Sequence, residues 1–179
     1  SIAHAKMLHK INLLTAEETA NLVSELEAIL EEIEKGNFTI EDSFEDVHSK
    51  VEYLLTEKLG DTGKKIHTAR SRNDQVLTDV HLFLKAELSE IKLQTKELFT
   101  ELITLSKKHQ NVIIPGYTHF QVAMPSSFGM WFSAYAEILI DDVTQLNAAL
   151  QIVDQNPLGS AAGYGSSFPI DRTFTTELL

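Results

Sequence analysis

The stretch RNDQVLTDVHLFLKAELSEIKLQTKELFTELITLSKKHQ, residues 72–110, contains neither proline nor glycine. Val76, Val80, Phe83, Leu84, Leu88, Ile91, Leu98, Leu102 and Leu105 recur along it at helical spacing. A helix of this length spans roughly 55–60 Å. Few single domains of this size bury such a rod alone, and a long periodic pattern without internal caps points to a coiled coil, a helical repeat or a large bundle.

Downstream, Asn111 to Pro125 reads as a polar loop. A second long segment follows from Ser126 to about Val153, with Phe128, Trp131, Phe132, Tyr135 and Leu139 leading its stripe. The pattern predicts that the two rods pair antiparallel and bury their remaining apolar surface against other subunits. After Asn156-Pro157, the run from Leu158 to Pro169 is too rich in Gly and Ser for helix interior and predicts a turn-rich loop.

Upstream lies a smaller helical layer. Thr15-Ala-Glu-Glu18 has the form of a capping box. Leu22, Leu26, Ile29 and Ile33 follow it at helical spacing, and Gly36 is placed to end the helix. Another helix starts near Ser43 and carries Val47, Val51, Leu54 and Leu55 on one face, with Gly60 past its end. The expected fold class is all-α: a small N-terminal helical domain (1–71), then long antiparallel helices (72–179).

The 179 residues carry 15 Lys+Arg against 26 Asp+Glu, a net charge of -11. Such a balance argues against nucleic acid or an anionic membrane as the main partner. Without cysteine there are no disulfides, thiolate chemistry or sulfur-ligated metals. No signal-peptide pattern or apolar run of spanning length is present, so the cytoplasm is the expected location. The seven histidines show no metal-ligand spacing, so no metal is expected, and no nucleophile elbow occurs.

Chemistry concentrates in two places. His67-Thr-Ala-Arg70-Ser71-Arg72-Asn73-Asp74-Gln75 sits at the entrance of the long helix, where Ser71 or Asn73 can cap it. The free N–H groups and the positive dipole end favour an anion there, and two arginines add charge and a bidentate fork. The alternative is a well-capped helix with solvent-facing arginines. In Pro115-Gly-Tyr-Thr118-His119-Phe-Gln121, three polar side chains fall within four positions between the rods, and histidine is a side-chain type able to relay protons. A lone structural histidine is the competing account. Glu45-Asp46-Val-His48 has Glu52 one turn beyond His48, which suits an i,i+4 hydrogen bond on a solvated face. The glycines between Gly159 and Ser167 do not form a dinucleotide fingerprint.

These strings carry a resemblance. His67 to Val76 and Pro115 to Gln121 closely resemble the argininosuccinate lyase family of the fumarase/aspartase superfamily. Ser1 to Leu8, Glu45 to His48, and Asn156 to Gly165 are similar to the same family. The resemblance implies a mostly helical homotetramer with active sites shared between subunits, acting without metal or cofactor. Its reaction is the β-elimination of argininosuccinate to arginine and fumarate through an aci-carboxylate carbanion, and its route is arginine biosynthesis or nitrogen disposal. By position, Ser71, Arg72 and Asn73 would bind substrate carboxylates. Thr118 would contact substrate, His119 would be the acid–base or electrostatic residue, Gln121 is a further binding candidate, and His48 lies on a shared motif. Phe120 stands where leucine is usual. The superfamily's Gly-Ser-Ser-x-Met-Pro-x-Lys-x-Asn loop, source of the serine taken as base, does not occur in these residues. Gly165 to Pro169 lacks its lysine and asparagine. The expectation is therefore an N-terminal-to-middle fragment, inactive alone. The competing expectations are an adenylosuccinate- or aspartate-type lyase of the superfamily, a crystallin-like structural protein of the same fold, or a helical interaction module.

Overall fold

A computed structural model describes residues 1–179. The chain divides into two compact units, Ser1–Thr78 with Asn156–Leu179, and Asp79–Gln155.

The first unit is built from short amphipathic helices. Helix α1 (Ile2–Lys10) buries Ala5, Met7 and Leu8. Helix α2 (Ala16–Glu34) begins with the expected capping box: the Glu18 N–H donates to Thr15 Oγ1 (3.1 Å) and the Thr15 N–H donates to Glu18 Oε2 (2.9 Å). Two of the orphan donors at the helix start are thereby satisfied. Leu22, Leu26 and Ile29 face inward, and Gly36 leaves the helix with φ +76°. Helix α3 (Val47–Leu59) is capped by Asp46, whose Oδ1 accepts from the Ser49 N–H at 2.7 Å. The short α4 (Asp61–Lys64) and a 3-10 turn (Lys65–His67) then lead to α5 (Arg72–Lys108).

Leu8, Leu22, Leu55 and Ile66 form the centre of the core, with Ile170 and Phe174 packed against its edge. Phe174 belongs to α7 (Arg172–Glu177), which meets α1, so the last residues of the chain fold onto the first helix. The sequence reading grouped residues 156–179 with the long helices; in this chain they pack in the unit formed by the N-terminal helices.

The second unit holds most of α5 and all of α6 (Phe128–Val153). Their polar contacts pair rising numbers on α5 with falling numbers on α6. His81 Nδ1 meets the Gln155 carbonyl (2.8 Å), Lys85 meets Asp154 (2.7 Å), Lys92 meets Asn147 (2.7 Å), and the Ser106 hydroxyl donates to the Gly129 carbonyl (2.7 Å). The rods are therefore antiparallel, as expected. Gly129 allows the closest approach: a Cβ there would lie 2.6 Å from Gln110 Cα.

Residues 111–125 depart from the expected loop. Strands β1 (Ile113–Thr118) and β2 (Gln121–Ser127) form an antiparallel hairpin, with Thr118 opposite Gln121 and an irregularity between Gly116 and Tyr117. Pro115 lies opposite Pro125. Prolines are rare inside strands, but both strands of a two-stranded sheet are edges, where proline is tolerated. No helix is long and apolar enough to cross a membrane.

Candidate active site

The predicted site residues divide between the units, His48, Ser71, Arg72 and Asn73 in the first and Thr118, His119 and Gln121 in the second. In the first unit, Ser71 caps α5. Its Oγ accepts from the Asn73 N–H (3.3 Å), while its own N–H donates to Asp74 Oδ1 (3.0 Å). This differs from a capping box in that the serine takes the N–H of Asn73 rather than that of Asp74; the reciprocal bond is made by aspartate in the place usually held by Glu or Gln. The Ser71 hydroxyl proton and the exposed Asn73 amide remain at the positive end of the helix as donors suited to a carboxylate.

Arg72 is not a loose cation at this entrance. Its Nε lies 3.2 Å from Asp46 Oδ2, its Nη1 donates to Gln75 Oε1 (3.2 Å) and Glu52 Oε1 (3.4 Å), and its Nη2 donates to Ser49 Oγ (3.4 Å). The guanidinium therefore ties α3 to the start of α5. Burial alone would raise the Asp46 carboxyl, but hydrogen bonds from Ser49 and the charge of Arg72 outweigh it and hold it below the usual carboxylate range.

The same contacts orient His48. With Gln75 Oε1 turned to Arg72, its amide Nε2–H donates to His48 Nδ1 at 2.9 Å. Nδ1 then accepts, which places the proton of the neutral ring on Nε2. Glu52, read as a partner for His48, also draws in the basic residues of the motif. His67 Nδ1 lies 2.9 Å and the buried Arg70 guanidinium 3.7 Å from its Oε1.

Buried behind this network is His4, whose Nε2–H donates to the Thr68 carbonyl at 2.9 Å. Burial, aided by the positive charge of Arg70, pushes its pKa down to about 3, so the ring is neutral. Asp74, 2% exposed, was not singled out from the sequence. The sign that could have found it is its place three residues after a capping serine.

In the second unit, Thr118, His119 and Gln121 lie at the tip of the hairpin, all exposed. His119 and Phe120 are the two turn residues, with φ +49° and +61°. A turn with both central residues at positive φ normally takes Asn-Gly or similar small residues. Two bulky side chains in this region cost on the order of 1–3 kcal/mol each, and such strain clusters at functional sites. No group of three or more His, Asp or Glu side chains is placed to hold a metal ion.

Comparison with known proteins follows this geometry. Solved structures of an EDDS lyase, one with bound fumarate and one with formate, superpose with a TM-score of 0.89 at 26% identity, over 99% of this chain and 35% of theirs. A fumarate lyase:delta crystallin structure from Brucella melitensis superposes with a TM-score of 0.79 at 19% identity, which shows a shared fold. The fold is shared with these helical lyases. The chain belongs to the family described as Lyase, whose pattern matches residues 1–179. Similar curated relatives are the argininosuccinate lyases of Phocaeicola vulgatus, Bacteroides fragilis and Desulforamulus reducens, at 59%, 58% and 47% identity over the whole chain. The chain spans about 40% of the length of these relatives.

Proposed function

We propose that the full-length protein containing this chain cleaves argininosuccinate to arginine and fumarate. The observation that carries this reading is the 59% identity, over all 179 residues, to a protein named argininosuccinate lyase. In the reaction, a base removes the proton beside one carboxylate of the succinyl moiety. The electron pair left on carbon delocalises into that carboxylate as an aci-carboxylate. It then forms the fumarate double bond as the C–N bond breaks, and the departing guanidino nitrogen takes up a proton.

The developing dianion calls for fixed donors, which fit the entrance of α5. Ser71 and Asn73 bind the carboxylates. Arg72 adds positive charge and, through Asp46, Glu52 and Gln75, fixes the face on which they sit. Thr118 and Gln121 contact substrate from the hairpin, and His119 moves a proton or stabilises charge. His48, with its proton held on Nε2, is a further donor toward the same substrate. The base comes from outside these residues, and no metal or cofactor takes part.

We further propose a homotetramer with sites shared between subunits, located in the cytoplasm and serving arginine biosynthesis. Two features support assembly. In the second unit the buried hydrophobic residue is Ala136 alone, while Phe83, Leu93, Ile138 and Ile152 are all more than half exposed. An isolated hairpin with Phe120 fully exposed is marginal in water without a covering surface. The test is release of fumarate, followed by ultraviolet absorbance, from argininosuccinate by the full-length protein. Turnover of adenylosuccinate or aspartate instead moves the assignment to a sister branch, and no turnover of any of the three overturns it.

A further inference from the structure

We infer that Asp74 is a positioning residue: its buried carboxylate holds the Gly159–Ala161 loop and the Ser71 cap in one fixed arrangement at the substrate-binding entrance of α5. The inference rests on the function proposed above. Asp74 is charged, nearly inaccessible and distant in sequence from two of its partners. Its Oδ1 accepts from the Ser71 N–H at 3.0 Å. Its Oδ2 accepts from both the Gly159 N–H at 2.9 Å and the Ala161 N–H at 2.7 Å. Three backbone amides thus converge on one carboxylate, forming a concave anion nest with an internal occupant.

The loop's own conformation points the same way. Gly159 has φ +100°, and Ala161 has φ +50° although it is not glycine. An alanine in this region is disfavoured and persists where surrounding contacts over-determine it. The contact here is the hydrogen bond from Ala161 to Asp74 Oδ2. Gly159 is also enclosed, since a Cβ there would lie 2.9 Å from the Arg172 and Ile170 side chains. Arg172 in turn donates to the carbonyls of Leu158 (3.2 Å) and Asn156 (3.1 Å). One end of the loop is therefore held by Arg172 and its turn by Asp74.

An acceptor-only group is required. In Asp74→Asn, either orientation of the amide sets an NH2 against at least one of the three N–H donors. Turned toward Ser71, the NH2 releases the cap, so the hydroxyl and amide donors for the substrate carboxylates lose their fixed places, while Gly159 and Ala161 are left with a neutral oxygen and a weaker bond. The hairpin bearing His119 is untouched. The effect therefore falls on substrate binding rather than on proton transfer.

The experiment compares full-length wild type, Asp74→Asn and Asp74→Glu by amide hydrogen exchange and by fumarate release. In Asp74→Asn, exchange across residues 159–161 accelerates by about tenfold or more, as expected for losing a charge-assisted hydrogen bond. KM for argininosuccinate rises by about tenfold while kcat stays within about threefold, and Asp74→Glu, which keeps the charge, recovers part of both. A merely structural role would lower the active fraction and leave KM unchanged, and that result overturns the proposal. Unchanged exchange at 159–161 overturns it as well. Where Asp74→Asn yields no folded protein, Asp74→Glu decides: its longer stem displaces the oxygens, so wild-type exchange and KM there are a refutation. If wild type releases no fumarate from argininosuccinate, the proposed function fails separately, and the exchange comparison alone decides whether Asp74 holds the loop.

Discussion

Adding one methyl group, as in Gly63→Ala, tests how the first unit holds its site together. A Cβ on Gly63 would lie 2.2 Å from the Leu55 carbonyl oxygen, 2.4 Å from its carbon and 2.6 Å from the Thr56 nitrogen. All three are backbone atoms of α3, so no side-chain rotation relieves the overlap, and α3 must retreat by about 1 Å or more. Leu55 is fully buried in the core, which makes the retreat costly. The loss falls near the upper end of the overpacking range, about 3 kcal/mol. At roughly 1 °C per kcal/mol for a protein about 2.5 times the length of this chain, melting drops by about 3 °C. The same retreat carries Ser49 and Glu52 away from Arg72, and their 3.4 Å contacts already lie at the outer limit of hydrogen bonding. KM for argininosuccinate therefore rises together with the fall in melting temperature. Gly36→Ala is the control: nothing lies within 4 Å of its added Cβ, and only its φ of +76° opposes the substitution. That conformational cost is about 1–2 kcal/mol. Thermal unfolding of the full-length protein monitored by fluorescence separates the two effects. If Gly63→Ala melts no lower than Gly36→Ala, the steric reasoning is wrong.

Three other outcomes are expected. His119→Asn lowers kcat by about 10²–10⁴-fold without changing the far-ultraviolet circular dichroism; wild-type turnover would remove its proposed role. His4 gives the first unit a pH dependence of definite sign. Its folded pKa of about 3 lies below its ordinary value of 6.5, so the unfolded chain takes up the proton first. Its contribution is complete above pH 6.5 and is lost as the pH falls from there toward 3, at no more than about 1.4 kcal/mol per unit. Hydrogen exchange of core amides in the first unit, read between pH 6.5 and 5 after correction for intrinsic rates, will show the loss, and His4→Gln will flatten it. A flat wild-type profile refutes the assignment. Finally, Thr15→Ala removes one side of the capping box on α2 and costs about 1 kcal/mol, seen as faster exchange of the Glu18 amide.

The helices were legible because their signals are local. Thr15 with Glu18 and the terminal Gly36 and Gly60 act within a turn of their own positions, and the apolar stripes of α5 and α6 repeat over many turns. Ser71 and Asn73 became candidates because polar residues cluster at a helix start, and Thr118, His119 and Gln121 because three polar side chains fall within four positions. What the sequence did not reveal depends on contacts distant along the chain. The partners of Asp74 lie 85 and 87 residues away, and the network around Arg72 draws on residues 20 or more positions upstream. No periodicity encodes such pairs. Arg72 in particular read as a solvent-facing cation or a ligand for substrate, whereas its guanidinium joins two helices.

The hairpin was missed for a different reason: its residues contradict local rules. Pro115 and Pro125 sit inside strands, and His119-Phe120 occupies a turn that ordinarily demands Asn-Gly. Natural chains keep such violations where something other than folding the segment requires them. The second unit breaks another rule, since two long apolar-striped helices bury little hydrophobic surface against each other. Each departure alone has several explanations, but together they favour one. A strained turn that presents His119 and Phe120 outward, on a unit without its own core, is what a chain needs if a neighbouring subunit completes both the core and the site. The proposal therefore ties catalysis to assembly. Dissociating the full-length protein by dilution should abolish fumarate release and accelerate exchange along the hairpin at the same concentration. Activity that persists in a demonstrated monomer would break that link, whatever the role of His119.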